Sequence, residues 1–182
     1  MGFILQTHKE KLLFVRKTHI YFGQILKAEY YISERIFLHM RIMTNQEAKS
    51  LAKLYHKEET YKHVRRVAKY VQTDRMIPNN MQNDCITLAY LHDLCEDTEF
   101  AESNAYKTLH EPLKTALSLL THDKENETYD EYCKRIKESV NTPAGKLAWF
   151  VKIADMKDHL NKTDTLTDKL KEKYLSGLRY LL

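Results

Sequence analysis

Apolar residues recur at three- and four-residue intervals along much of this chain, and that period most limits what the chain can fold into. Val64, Val67, Ala68 and Val71 form one such stripe within residues 59–73. This spacing is typical of an α-helix, whereas a strand alternates every two residues. Glycine (4) and proline (3) are scarce among the 182 residues, and no Asn-Gly or Asp-Gly hairpin signal occurs. The sequence therefore predicts an all-α protein with one main domain.

The charge is unevenly distributed between two parts of the chain. Residues 1–42 carry seven Lys/Arg and three Asp/Glu, a net charge of +4, whereas residues 43–182 carry 22 of each. A fresh helix start follows Met43, where Thr44 or Asn45 can cap a helix with Glu47 nearby. We predict an accessory N-terminal segment over residues 1–42 and a main domain over 43–182. Because that domain is neutral overall, no nucleic-acid partner is expected.

Cysteine content and hydropathy limit the compartment. The three cysteines, Cys85, Cys95 and Cys133, form no C-x-x-C pair and are odd in number, which favours a reducing compartment over a disulfide framework. No apolar run approaches the ~18 residues that a membrane span requires. The N-terminus also lacks the features of a signal peptide. We expect a cytoplasmic protein without a membrane partner.

Further helices are predicted from periodicity and from capping residues. Pro143 follows Thr142 as the first residue of a helix, a position that proline favours. Helices are predicted over residues 59–73, about 111–121, 128–140 and 166–182. Two more are predicted, a buried helix that ends in LHDLCEDT and a helix that begins at Pro143.

The stretch LHDLCEDT at residues 91–98 places polar residues directly behind an almost continuous apolar run. At about 100° per residue, one broad face of a helix would carry His92, Asp93, Glu96 and Asp97. Buried ionised groups are costly unless they are paired or bind a metal. The motif therefore offers two metal-ligand types, followed by two carboxylates that can transfer protons or orient water.

Two more polar residues occur in apolar helical surroundings. Asp155 lies within AWFVKIADM, and His63 lies beside the valine stripe of its own helix. Each also has a purely structural interpretation. His63 could be a hydrogen-bonded core residue, and Asp155 could pair with Lys152 or His159 on the same helix.

Together, His63, His92-Asp93 and Asp155 follow the order H…HD…D, and here the sequence from about Ala48 to Leu182 resembles the HD-domain metal-dependent phosphohydrolases. HDLCEDT resembles the HDxxEDT form of the RelA/SpoT-type alarmone hydrolases, and Tyr61-Lys62-His63 resembles their Y-x-H motif. Small stand-alone bacterial HD proteins are similar at further positions: Leu120-Thr121-His122, Lys124, Tyr129, Tyr132 and Val151-Lys152-Ile153-Ala154-Asp155. Val64 and Asp158-His159 depart from the alarmone-hydrolase pattern.

The resemblance implies an HD-domain helical bundle over residues 43–182 that binds one divalent metal ion. The implied ligands are His63, His92, Asp93 and Asp155. Mn²⁺ is the first expectation, with Fe²⁺, Co²⁺ and Zn²⁺ as alternatives. Two-metal members add further histidines, but the surroundings of His110 and His122 do not match theirs. Glu96 and Asp97 take the catalytic roles, and the candidate substrate-binding residues are Lys152, His122, Tyr61 and Tyr129.

The function implied by this resemblance is hydrolysis of a phosphoester or pyrophosphate bond in a nucleotide. A (p)ppGpp-type 3′-pyrophosphate is the leading substrate, and the expected partner is a small phosphorylated nucleotide. Two alternatives stay open: a nucleoside monophosphate 5′-nucleotidase or other small-molecule phosphatase, and a helical module that senses a nucleotide or binds a partner. Homo-oligomer formation is also left open. The His122-Asp123 dipeptide is interpreted as a decoy, because it opens into a polar run that resembles a solvated loop.

Overall fold

The structure, a computed structural model, describes residues 42–182, and these residues form helices and no strand. The all-α prediction is confirmed. The proposed accessory segment lies outside the described residues except for Ile42. The helices are α1 (Asn45–Tyr55), α2 (Glu58–Thr73), α3 (Asn79–Leu91), α4 (Leu94–Asp97), α5 (Asn104–Lys107), α6 (Glu111–Leu120), α7 (Tyr129–Glu138), α8 (Pro143–Asn161) and α9 (Asp168–Leu181), with a 3₁₀ turn at Glu99–Glu102 between α4 and α5.

Threonine caps fix the starts of several helices at positions that the sequence predicts. Thr44 accepts a hydrogen bond from the backbone N–H of Glu47, and the Glu47 side chain accepts one from Thr44 in return, which completes a capping box. Thr142 accepts from the backbone of Gly145, and Pro143 is the first residue of α8. Such a cap stabilises a helix by about 1 kcal/mol. Local chemistry therefore sets where α1 and α8 begin.

Helix α8 lies at the centre of the described residues and packs against α2, α3, α6, α7 and α9. Its buried residues include Leu147, Ala148, Val151 and Met156, which point in different directions around the helix. Burying a large apolar side chain of this kind contributes about 1.5–3 kcal/mol. Because α8 is enclosed on most sides, any buried ionised group on it needs a partner, and three such groups are present, Lys152, Asp155 and Asp158.

The HD motif departs from the predicted geometry, because α3 ends at Leu91 and the polar residues do not share one continuous helix. His92 and Asp93 form the turn between α3 and the short helix α4, which carries Glu96 and Asp97. The imidazole of His92 itself hydrogen-bonds the carbonyl of Ala89 at 2.9 Å. A side chain that takes up a helical carbonyl competes with the backbone ladder and favours a helix end.

In the described part of the chain, no helix combines the length and hydrophobicity needed to cross a membrane. Cys85, Cys95 and Cys133 are all free thiols within the same range. Burial raises the pKa of Cys85 to about 12, so its thiol stays protonated and packs as an apolar group.

Candidate metal centre

Three parts of the fold bring four predicted ligands to one point: α2 supplies His63, the turn after α3 supplies His92 and Asp93, and α8 supplies Asp155. The Nε2 atom of His63 lies 3.2 Å from Oδ1 of Asp155 and 3.7 Å from Oδ2 of Asp93. The Nε2 atom of His92 lies 3.1 Å from Oδ1 of Asp93 and 3.7 Å from Oδ1 of Asp155. These His and Asp side chains could hold a metal ion.

The outer nitrogen of each imidazole has a partner that fixes the direction of the ring. Nδ1 of His63 lies 2.7 Å from Oδ2 of Asp158, and Nδ1 of His92 lies 2.9 Å from the carbonyl oxygen of Ala89. Because both partners are acceptors, each Nδ1 carries a proton, and each Nε2 faces inward as the ring atom that a metal ion would bind. Metal-bound histidines adopt this ring orientation, with the outer nitrogen held by an acceptor.

The inner atoms converge without hydrogen-bonding one another. Among the described residues, the buried atoms that lack a hydrogen-bond partner include Nε2 of His63, Nε2 of His92 and Oδ1 of Asp155. Nε2 of His92 lies too far from Oδ1 of Asp155 for a hydrogen bond, at 3.7 Å, and Nε2 of His63 forms none with that oxygen at 3.2 Å. Three buried polar atoms that face a common point without hydrogen bonds are costly, and a cation bound between them would remove that cost. The donor set therefore fits a divalent ion.

Asp155 is held on its other side by Lys152, whose Nζ donates to Oδ2 at 2.8 Å. Both residues are almost completely buried. Burial acts to raise the pKa of Asp155, but Lys152, His159, His63 and His92 outweigh it and keep that pKa well below its usual range. The pairing with Lys152 considered from the sequence is therefore present, and it coexists with the convergence of Asp155 on the two histidines.

The carboxylates also raise the proton affinity of the imidazoles. Burial acts to lower the pKa of His63, yet the interactions with Asp155, Asp158 and Asp93 prevail and raise it to about 10. The pKa of Asp158 falls to about 2, because His63 and Arg66 outweigh the effect of burial. Arg66 binds Asp158 with two contacts of 2.8 Å, from Nε and Nη2. The site thus attracts positive charge strongly, whether as protons or as a metal ion.

His159 is a further member of the site. Its Nε2 atom lies 3.2 Å from Oδ1 of Asp155, and its ring lies 4.6 Å from that of His63 and stacks on Tyr174 of α9 at 4.6 Å and 11°. His63, Asp155 and His159 form a second group that could hold an ion and that overlaps the first. The sequence indicated only a same-helix contact with Asp155. The four-residue spacing between Asp155 and His159 on α8 was the signal for that contact.

The two proposed catalytic carboxylates lie on α4, directly after the ligand turn. Glu96 forms an ion pair of 2.5 Å with Lys124, and its Oε2 accepts from the backbone N–H of His122 at 3.4 Å. Asp97 is exposed, and its pKa is raised by partial burial and by the charges of Asp93 and Glu96. The two groups therefore differ: the carboxylate of Glu96 is held by a cation, whereas that of Asp97 has other carboxylates as neighbours and a raised pKa.

The candidate substrate-binding residues lie in different surroundings. The ring of Tyr129 contacts Lys152 and Lys173, and the Tyr129 hydroxyl is buried without a hydrogen-bond partner among the described residues. The ring of His122 stacks on Tyr132 at 4.8 Å, and its Nε2 lies 3.1 Å from the carbonyl of Glu127. The structure does not bring Tyr61 to this cluster. Tyr61 instead packs in a separate apolar group with Ala52, Val64 and Tyr90.

The second His-Asp dipeptide is in a loop, as predicted. Asp123 is exposed and accepts hydrogen bonds from Asn126 and from the backbone of Glu125. Those contacts lower the pKa of Asp123. Asp123 is thus stabilised within its own loop, whereas Asp93 faces His63 and His92.

Lysines from three segments surround the acidic side of the site. The ammonium groups of Lys152 and Lys173 both lie over the Tyr129 ring, and burial together with the charges of Lys152 and Lys124 lowers the pKa of Lys173. The ammonium of Lys173 lies 4.2 Å from the centre of the Tyr129 ring. Lys173 belongs to α9, and nothing in its local sequence distinguishes it from the other lysines of that helix.

No protein-family model matches this sequence, and it has no significant match among curated proteins. The interpretation of the site therefore depends on its residues and their geometry.

Proposed function

We propose that this protein is a metal-dependent phosphohydrolase of the HD-domain type that acts on a phosphorylated nucleotide. The observation that carries the proposal is the convergence of Nε2 of His63, Nε2 of His92 and Oδ1 of Asp155 beside Asp93, with no hydrogen bonds among the three. Two imidazoles and two carboxylates suit Mn²⁺, Fe²⁺, Co²⁺ or Zn²⁺, and we propose one Mn²⁺ ion. When bound, such an ion supplies Lewis acidity to a phosphoryl group and lowers the pKa of a water ligand.

The chain positions its ligands before any ion arrives. Asp158 holds the His63 ring through Nδ1, and the Ala89 carbonyl holds the His92 ring in the same way. Lys152 fixes Oδ2 of Asp155, so that Oδ1 faces the two imidazoles. Because these partners are already in place, little side-chain ordering remains to be done on binding.

Glu96 and Asp97 are proposed to move and hold protons during hydrolysis. Glu96 pairs with Lys124, and its carboxylate can accept a hydrogen bond from the attacking water and orient it. Asp97, whose pKa is raised by partial burial and by the charges of Asp93 and Glu96, is proposed to give a proton to the leaving oxygen. Removing either function should slow the chemistry more than it weakens metal binding.

The substrate class is proposed from the charge around the site. Lys124, Lys152 and Lys173 can offset phosphate charge beside the ligands, and Tyr129 offers a ring at the same place. A nucleotide with a terminal phosphate or pyrophosphate matches these features, and a (p)ppGpp-type 3′-pyrophosphate is the leading member of that class. Lys124 and Lys173 are added here to the substrate contacts predicted from the sequence.

The test is a hydrolysis screen on the full chain, stripped with a chelator and reloaded with Mn²⁺, Fe²⁺, Co²⁺ or Zn²⁺. The substrates are nucleoside monophosphates, di- and triphosphates, and 3′-pyrophosphorylated guanosine nucleotides. We expect turnover that requires metal and is lost in Asp93→Asn, with release of pyrophosphate or phosphate identifying the bond. Stoichiometric metal binding with no turnover of any substrate would favour the sensing alternative. Failure to load metal at all would contradict the whole proposal.

A further inference from the structure

A groove with a strongly basic lining lies between α1, α2 and α3. It encloses about 640 Å³, and its described lining residues include Lys49 of α1 and four cations of α2, namely Lys62, Arg65, Arg66 and Lys69. No carboxylate is among the described residues that line it. The four α2 cations follow the spacing i, i+3, i+4, i+7 and therefore form one face of that helix.

This face carries charge that the rest of the described chain neutralises only in part. Lys62 pairs with Glu59 at 2.8 Å, and Arg66 pairs with Asp158. Within residues 42–182, Lys49, Arg65 and Lys69 form no ion pair with a carboxylate. Like charges at i, i+4 on a helix repel each other, so the stripe disfavours folding slightly unless an anion is present.

The other lining residues supply the contacts of a small-molecule site. Tyr90 and Ile86 of α3 offer apolar surface, and amide side chains of Gln46 and Gln72 offer hydrogen bonds. The volume lies within the range of about 300–1,000 Å³ typical of small-ligand pockets. A base against Tyr90 and several phosphates along the α2 stripe would use both parts of the groove.

We propose that this groove is a second ligand site, which binds a nucleotide or other small molecule with two or more linked phosphates. None of the proposed metal ligands lines the groove. A small ligand is favoured over a nucleic acid because residues 43–182 carry equal numbers of acidic and basic side chains, so that the positive charge is local. The inference is independent of the hydrolytic function proposed for the metal centre.

Arg66 determines which variants can test the site. Arg66 lines the groove, and its guanidinium holds Asp158, which in turn holds His63. A change at Arg66 would therefore disturb the metal centre as well. Lys49 and Lys69 avoid this problem, because neither contacts a residue of the metal centre in the described structure.

The experiment measures binding of GTP, ATP, inorganic tripolyphosphate and AMP to the chelator-treated full chain by calorimetry. We expect the triphosphates to bind and AMP to bind at least about tenfold more weakly, because fewer phosphates meet the stripe. In the double variant Lys49→Gln/Lys69→Gln, triphosphate binding should weaken by about tenfold or more. The matched control, Lys146→Gln/Lys171→Gln, removes the same charge from exposed positions on α8 and α9 and should bind as the unaltered chain does.

A second comparison separates the groove from the metal centre. Asp93→Asn should leave triphosphate binding within about twofold, since Asp93 is not in the groove. Tripolyphosphate binding as tight as GTP would identify linked phosphates as the whole recognised group, and tighter GTP binding would add the base. The proposal is overturned if both double variants weaken binding equally, if no triphosphate binds, or if a single-stranded oligonucleotide binds more tightly than every triphosphate.

Discussion

Oδ2 of Asp158 lies 2.7 Å from Nδ1 of His63, and this contact joins residues 95 positions apart in the sequence. Asp158 is 2 % exposed, and its other contacts are the two from Arg66. A buried carboxylate behind a histidine fixes the tautomer of the ring and raises the basicity of its free nitrogen. Asp158 thus connects the groove cation Arg66 to the candidate metal centre.

The first prediction concerns this carboxylate. Asp158→Asn should weaken Mn²⁺ binding by about 10- to 100-fold, because a neutral amide stabilises the ligand form of His63 less well. Competition with a chelating dye measures the effect without any need for activity. Asp164→Asn changes an exposed aspartate just beyond α8 and should leave metal affinity unaltered. Equal affinities in the two variants would contradict the role of Asp158.

The second prediction separates chemistry from metal binding. Glu96→Gln and Asp97→Asn should each reduce kcat by about 10² or more while the metal content stays unchanged, as expected when general acid-base help is lost. Steady-state turnover and metal analysis on the same preparations measure both quantities. Glu99→Gln, an exposed change in the following 3₁₀ turn, is the control. Near-normal turnover in both variants would assign proton transfer to other groups.

The third prediction distinguishes the two His-Asp dipeptides. Asp93→Ala and Asp155→Ala should abolish metal retention, because each removes a carboxylate that faces His63 and His92. Asp123→Ala should retain the metal, since its contacts lie within its own exposed loop. Metal analysis after gel filtration provides the comparison. Metal loss in Asp123→Ala with retention in Asp93→Ala would reverse the assignment.

The fourth prediction concerns pH. The pKa of His63 is raised to about 10 in the metal-free fold, so a proton occupies the ring at neutral pH and metal must displace it. Affinity for Mn²⁺ should therefore rise about tenfold per pH unit for each proton released. Calorimetry at pH 7 in two buffers of different ionisation enthalpy counts these protons. A metal affinity that is unchanged between pH 6.5 and 8.5 would contradict the displacement.

The raised pKa of His63 also makes the stability of the metal-free protein depend on pH. Because the folded pKa of His63 exceeds the unfolded value of 6.5, its contribution is fully present below pH 6.5 and is lost as the pH rises through about 10. Urea midpoints of chelated protein should therefore fall between pH 7 and pH 10. Saturating Mn²⁺ should reduce this fall, since the metal-bound ring carries no proton at Nε2.

The fifth prediction concerns the division of the chain. A chain that begins at Met43 should fold and bind metal, because α1 to α9 supply the core and all four predicted ligands. Circular dichroism and metal titration test this directly. Insolubility or loss of metal binding would show that residues 1–42 complete the core or the site.

Most of the helical architecture could be predicted from the sequence, because helix periods and caps are local signals. The apolar valine stripe on α2 and the Thr142-Pro143 start of α8 were sufficient to predict those two helices. The break after Leu91 was missed, because it accompanies a contact between the His92 side chain and a backbone carbonyl that a helical projection ignores.

The site was only partly predictable for a different reason. His63, His92, Asp93 and Asp155 stood out as polar groups in apolar surroundings. Lys173 did not, because it reaches the site through the packing of α9, and packing between distant helices leaves no local pattern.

The four proposed ligands come from α2, the turn after α3 and α8, which are far apart along the chain. An ion held between them would act as a cross-link that closes two long loops, much as disulfides do in secreted proteins. The described thiols of this chain are free, so such a tether would be reversible and set by the supply of metal. Depletion of the ion would then remove this cross-link, and the lifetime of the folded protein would follow the metal concentration around it.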